Sequence, residues 1–220
     1  MSNSTNPYKN FTLYLKEHFP FKVQKISINA GFTCPNRDGS KGRGGCTYCN
    51  NKSFTPDYSV GIKTVSEQLK EGIEFFSHKY EEMKYLAYFQ SYTNTYESVD
   101  KLKDLYEEAL AYPGVVGLVI STRPDCMPDE LLNYLEEINK KHYVLIEYGV
   151  ESTLNSTLER VNRQHTFEES KQTIIKTAER GIPVGAHMIL GLPGESRSDL
   201  LLHATTLSRL PLTTIKLHQL

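Results

Sequence analysis

Three of the four cysteines fall within sixteen residues, spaced Cys34-x11-Cys46-x2-Cys49, and the fourth, Cys126, lies far downstream. In a reducing compartment such a cluster reads as a metal or redox site rather than as a disulfide framework. The loop between the cysteines carries Gly39, Gly42, Gly44 and Gly45. That composition forms neither helix nor strand, yet it lets the backbone wrap around a small object. Apart from Tyr48 it holds nothing apolar to order it, so thiolate–metal bonds are the expected source of order. A structural zinc wants four ligands, and the loop supplies three. An iron–sulfur cubane is normally held by four thiolates, so three would leave one iron open to a small ligand, which is a catalytic arrangement. On the cysteines alone both metals stand.

The flanking segments alternate strand and helix. Val23–Asn29 reads as a strand, Ile26 and Ile28 alternating with Lys25 and Ser27, and the cysteine loop follows it directly. Thr64-x-x-Glu67 is a capping box opening a helix to about Lys79. Next come strand Tyr85–Gln90, helix Val99–Tyr112, strand Val115–Ser121, helix Asp129–Lys141 and strand Val144–Val150. A second capping box, Thr166-x-x-Glu169, opens a helix ending at Gly181; strand Val184–Leu190, helix Ser198–Leu210 and strand Thr214–Leu220 complete the pass. This alternation predicts an α/β fold with a parallel sheet and helical crossovers.

In such folds chemistry sits beyond the C-terminal strand ends. The residues placed there are polar: Gln90-Ser-Tyr-Thr-Asn94, Ser121-Thr-Arg-Pro-Asp-Cys126, Glu147-Tyr-Gly-Val-Glu151, His187 with Gly191-Leu-Pro-Gly-Glu195, and Lys216 with His218. They converge on the end that carries the cysteines.

Composition bounds the rest. The 220 residues are 39% apolar, enough for one sizeable core, and 23% charged, as in ordinary globular chains. The longest apolar runs are far too short to span a bilayer, and Met1–Asn10 lacks the apolar centre of a signal peptide, so a cytoplasmic protein is expected. A net charge of −1 hides an asymmetry: residues 1–63 hold nine Lys/Arg against three Asp/Glu.

With these residues in place the chain resembles the radical S-adenosylmethionine enzymes. The cysteine loop with an aromatic before its last cysteine is similar to that superfamily's cluster loop, although the usual first gap is three residues. The longer gap, Thr122-Arg-Pro-Asp-Cys126, Glu151 after Gly149, Asn162-Arg163-x-His165 and His187-Met-Ile-Leu-Gly-Leu-Pro-Gly-Glu195 resemble a narrower bacterial family. That family includes MnmL and is related to the Elongator catalytic subunit and anaerobic coproporphyrinogen oxidase. The resemblance implies a partial six-stranded TIM-like barrel, a single core domain over residues 1–220 with 1–20 as an extension, and a further C-terminal part absent from this chain.

The resemblance also implies roles. Cys34, Cys46 and Cys49 would hold a [4Fe–4S] cluster whose fourth iron takes S-adenosylmethionine. Tyr48 would lie along the adenine; Ser91, Tyr92 and Thr93 would meet the methionine amino group; Arg163 would pair with its carboxylate. Glu151 and His187 would hold the ribose hydroxyls, and Ile189 and Gly191 would form the wall against the adenine. Cys126 is read as a buried small residue or a substrate-side thiol.

Reductive cleavage would release a 5′-deoxyadenosyl radical that takes a hydrogen atom from substrate. The implied substrate is the carboxymethylaminomethyl group on the wobble uridine of tRNA, with the aminomethyl form as product. Implied partners are tRNA, an electron donor such as flavodoxin or ferredoxin, and a methyltransferase that completes the product, with no membrane. Fourteen tyrosines offer stacking surfaces, and Arg37, Lys41, Arg43 and Lys52 a phosphate-facing rim. The competing readings are a zinc-stabilised RNA-binding module without catalysis and a radical enzyme acting on a small metabolite or porphyrin.

Overall fold

Apolar residues at alternate strand positions divide into two sets, one for each face of a single sheet. The computed structural model describes residues 7–50, 55–59, 61–77 and 83–220. The strands are β1 (Lys22–Ile28), β2 (Met83–Phe89), β3 (Val115–Thr122), β4 (Tyr143–Glu151), β5 (Val184–Leu190) and β6 (Thr214–Gln219). They pair in chain order, every pair parallel, and curl into a half-barrel. Ile26, Ile28, Ala87, Phe89, Leu118, Ile120, Val144, Ile146 and Val184 form the convex face. Helices α2 (Val65–Ser77), α3 (Val99–Ala111), α4 (Asp129–Asn139), α6 (Phe167–Ala178) and α7 (Arg197–Leu207) follow successive strands, and Leu69, Leu102, Leu131, Leu132, Leu135, Ile174 and Leu207 pack on that face. Central strands buried on both faces need continuous apolar runs, as in Val144-Leu-Ile146. The partial TIM-like barrel expected above is what forms.

Both expected capping boxes are present. Thr64 N–H donates to Glu67 at 2.7 Å and Glu67 N–H to Thr64 Oγ1 at 3.1 Å, and Thr166 with Glu169 repeats the exchange at α6. A third, Ser196 with Asp199, starts α7. The helix expected to reach Lys79 runs to Ser77; Lys79 and Lys52 lie outside the described residues.

Two helices were not expected. One is α5 (Asn155–Arg160), a short helix between β4 and α6. The other is α1 (Phe11–His18), within the stretch read as an extension. Asn10 caps α1 by accepting from Leu13 N–H at 2.9 Å. Its Leu15 joins Leu86, Tyr88, Val119 and Leu145, whose parity places them on the concave face, with Phe11, Tyr14, Phe19 and Tyr143 around them. A half-barrel has an apolar inner layer that water would otherwise reach, and α1 covers it.

Truncating Leu15 to Ala therefore removes a contact shared by three strands. The expected outcome is a loss of about 2–3 kcal/mol in chemical denaturation, the range for emptying a buried leucine site. A change within error would show that α1 merely rests on the surface.

Candidate active site

The strands deliver their last inward residues to one cavity at the C-terminal mouth. It is lined by the three cysteines, Tyr48, Ser91, Tyr92, Thr93, Glu151, Arg163, His187 and Ile189, which is every residue expected at the site except Gly191. Gly191 is exposed, at φ +90° in the turn after β5, and a Cβ there would meet nothing within 4 Å. No atom of the described residues fills the space above its backbone, which is the condition a close approach by a ligand requires, and Ile189 lines the cavity beside it.

The cysteine loop is fastened from outside itself. Thr47 N–H donates to Val161 O at 3.1 Å, Asn36 Nδ2 to Asn162 O at 2.5 Å, and Asn162 Nδ2 to Gly45 O at 2.9 Å. Lys41 reaches Asp125 at 2.5 Å, and Asp125 also receives both Nε and Nη2 of Arg123 at 2.9 and 2.8 Å. Burial raises the Asp125 carboxyl, but Arg123 and Lys41 outweigh it and hold the group at about 2. Arg123, nearly sealed from solvent, then donates Nη1 to Arg163 O at 3.0 Å. The Thr-Arg-Pro-Asp segment is thus a brace tying the loop to the Arg163 turn.

Cys34 and Cys46 are buried and Cys49 is exposed. Burial pushes the Cys49 thiol up, and neighbouring Cys46 and Cys34 add to this while Arg37 opposes. A thiol that resists ionisation, as Cys49 does, becomes a favourable ligand when a cationic group replaces its proton. All three thiols line one cavity, and a cubane takes a separate iron to each of three soft thiolates, so this donor set fits the cluster. Cys126 does not line the cavity, and burial, with Asp125 beside it, pushes its thiol to about 12. It is half-buried, at the end of the Thr-Arg-Pro-Asp brace.

Arg163 is buried among polar partners. Nη2 donates to Gly149 O at 2.6 Å, Nη1 lies 3.7 Å from Cys46 Sγ, and the Glu151 carboxylate is 3.6 Å away. Nε donates to His165 Nε2 at 2.8 Å. His165 must accept there, so its proton sits on Nδ1, 3.1 Å from Thr166 O. A methyl on Gly149 would come within 2.5 Å of Glu151 Oε1 and 2.7 Å of Arg163 Nη2, so the pair passes only over a glycine. Tyr48 packs with Val161, Ile189 and Leu192, and its hydroxyl is buried with no hydrogen-bond partner. An orphaned hydroxyl facing a cavity fits a site shaped for a polar ligand.

The loop after β2 joins the same wall. Thr93 N–H donates to Thr33 O at 3.3 Å, and the Arg37 guanidinium lies 5.4 Å from the Tyr92 ring centre. All four non-glycine residues at positive φ among those described, Tyr92, Glu151, Asn162 and Gln164, belong to this site or its bracing turn. Backbone held in that region persists only where the surroundings over-determine it. Of the basic rim, Lys41 is committed to Asp125, whereas Arg43 is exposed and Arg37 lines the mouth.

Beneath the mouth lies a polar layer in which His187, expected at the ribose, meets residues that carried no expected role. Glu147 accepts from Lys25 at 2.5 Å, Tyr88 Oη at 2.8 Å, Ser121 Oγ at 3.2 Å and His187 Nε2 at 2.8 Å. Burial raises its carboxyl, but His187 and Lys25 more than offset this and hold it well below the usual range.

A parallel half-barrel with a three-thiol wall at its C-terminal mouth defines a class, and comparison with known proteins agrees. Residues 31–207 match the family described as the Radical SAM superfamily, and the chain belongs to it. Its [4Fe–4S] cluster and S-adenosylmethionine are therefore the cofactors of this site. The chain is 36% identical over 222 residues to Uncharacterized protein YtqA of Bacillus subtilis, covering 100% of itself and 68% of that protein. It is 39% identical over 207 residues to Protein YhcC of Escherichia coli, covering 94% and 66%. The chain thus spans about two thirds of these relatives' length. A shorter match, 30% over 81 residues, covers 37% of the chain and 15% of a tRNA uridine(34) acetyltransferase of Methanocaldococcus infernus. In fold it is similar to Elp3 of that archaeon, with a TM-score of 0.64 at 16% identity, covering 91% of this chain and 46% of the other. No helix among the described residues is long and apolar enough to cross a membrane.

The His165 arrangement sets a pH dependence. Burial first, and Arg163 second, lower its pKa from 6.5 to about 3. Between those values the unfolded chain binds a proton that the folded chain refuses, so the associated stability is complete above 6.5 and drains away as pH falls toward 3. His165→Gln keeps an acceptor but cannot titrate. Denaturation curves at pH 7.5, 6 and 5 should show wild type losing stability more steeply than the variant, by about one bound proton. Parallel pH profiles would refute the assignment.

Proposed function

We propose that this chain forms the catalytic core of a radical S-adenosylmethionine enzyme that converts the carboxymethylaminomethyl group of tRNA wobble uridine to aminomethyl. The observation carrying the reading is the single cavity that joins three thiols, the buried Arg163–Glu151 pair and a cationic floor. Cys34, Cys46 and Cys49 hold three irons of the cluster. When bound and reduced, cluster and S-adenosylmethionine together supply a 5′-deoxyadenosyl radical able to take a hydrogen atom from carbon.

The remaining roles belong to the protein. Arg163 offers a fixed guanidinium fork to the methionine carboxylate, braced by His165 and Gly149 O so that little ordering is needed on binding. Ser91 and Thr93, buried beside Tyr92, offer hydroxyl oxygens to the methionine amino group. Tyr48 and Ile189 form the flat apolar wall for the adenine. Glu151 and His187 face the ribose; His187 Nε2 is committed to Glu147, which leaves Nδ1 for a hydroxyl.

Support for an RNA substrate comes from several sides. The anticodon loop is single-stranded, so its bases can be splayed out and stacked. Arg37 and Arg43 supply positive charge at the mouth. A relative sharing part of the chain is named for chemistry on tRNA uridine 34. Radical enzymes of this class require a reductant, for which a flavodoxin or ferredoxin is suited, and a methyltransferase would consume the aminomethyl product.

Anaerobic reconstitution with iron and sulfide, followed by dithionite and S-adenosylmethionine, should release 5′-deoxyadenosine. Cys34→Ala, Cys46→Ala or Cys49→Ala should abolish that release together with the visible cluster absorption. Incubation with tRNA bearing carboxymethylaminomethyluridine should yield the aminomethyl nucleoside by mass spectrometry. Deoxyadenosine release with every tRNA nucleoside unchanged would retain the reaction class and reject this substrate.

A further inference from the structure

The floor of the cavity carries more positive charge than the described residues neutralise by ion pairs. Lys25, Glu147, Tyr88, His187 and Lys216 meet there, from five different strands and loops of the concave face. Glu147 is the carboxylate of this layer, and four donors already fill it. Lys216 makes no ion pair among the described residues. Its ammonium lies 3.3 Å from Tyr88 Oη and 5.5 Å from the Tyr88 ring centre. Because Tyr88 gives its own proton to Glu147, its oxygen can take one N–H of Lys216, and the other two remain for a ligand. Lys25 and Lys216 together outnumber Glu147 by one charge, in a place largely screened from water.

The neighbours sharpen the point. His218, two residues on and lining the same cavity, is held neutral, at about 4, by burial and by His187 and Lys216. It adds no charge at neutral pH. Glu151 is answered by Arg163. Burial and Lys25 also push the Lys216 ammonium down, with Glu147 and, more weakly, Glu151 opposing.

We propose that Lys216, supported by Tyr88, is an anion subsite that takes the carboxylate of the substrate's carboxymethylamino group. This rests on the reading of substrate given above and deepens it. A carboxylate seated on Lys216 answers the excess charge, whereas the aminomethyl product keeps its ammonium and has lost the carboxylate, so it brings nothing to pair with Lys216. The subsite thus separates substrate from product by the presence of one anionic group rather than by shape.

The test uses cluster-loaded protein with S-adenosylmethionine, kept anaerobic, and two probes without RNA: N-benzylglycine, which carries an aromatic methylene-amino-acetate, and benzylamine, which lacks the carboxylate. Ligand-observed NMR should show N-benzylglycine bound and benzylamine at least about tenfold weaker. Lys216→Met should weaken N-benzylglycine by about tenfold or more, the range of a charge-assisted hydrogen bond, and leave S-adenosylmethionine affinity unchanged. Lys216→Arg should restore most of the binding. Equal binding of both probes, no binding of N-benzylglycine, or an unaffected Lys216→Met would overturn the subsite. An anticodon stem-loop carrying the modified uridine separates the two ideas. If it fails to bind while the small probes discriminate, the tRNA reading falls and the subsite stands. If it binds with an affinity indifferent to Lys216→Met, the subsite falls and the tRNA reading stands.

Discussion

The cysteine loop has almost no apolar packing to hold it, and the rest of the site follows from that constraint. Its glycines sit at positive φ at Gly39, Gly44 and Gly45, and it contributes only Tyr48 to an apolar cluster. Backbone hydrogen bonds set its internal turns, and the turn at residues 161–165 together with Asp125 fixes its place on the barrel. The same turn presents Arg163. Whatever holds the sulfurs in place therefore also holds the guanidinium that faces them, and the two cannot drift independently. Arg123 closes the arrangement, being bidentate to Asp125 and hydrogen-bonded to the backbone of Arg163. A buried arginine that served only itself would be destabilising; with every donor direction answered it specifies one geometry.

A second polar layer sits deeper, and the contrast between the two is informative. Around Arg163 the charges balance locally with Glu151. Around Glu147 they do not, because Lys25 and Lys216 share one carboxylate. Beneath both lies the apolar layer closed by α1. The concave face thus grades from dry and apolar at the bottom, through charged, to the cavity at the mouth.

Much of this was legible in sequence, for reasons particular to each element. β4 announces itself because burial on both faces demands an apolar run, and α6 because Thr166 and Glu169 satisfy each other's backbone at a fixed spacing. The cysteines are legible by residue type, which tolerates no substitute. α1 was not legible as part of the core: Phe11, Tyr14 and Leu15 have the spacing of a short amphipathic helix, but nothing local says that an inner barrel layer needs covering.

What sequence could not supply is pairing across the barrel. Lys25 and Glu147 are 122 residues apart, and Tyr88 and Lys216 are 128 apart. Inward parity could be read from each strand alone, since Lys25 alternates with Ile26, and His187 and Lys216 sit in polar steps of β5 and β6. Which inward residues share a layer depends on register, and register shifts at two places, Tyr85/Leu86 and Gly149/Glu151. The second shift coincides with positive φ at Glu151. Glu147, Gly149 and Glu151 share one parity, so a single strand feeds both polar layers, Glu147 to the floor and Glu151 to the mouth, where the glycine between them leaves room for Arg163.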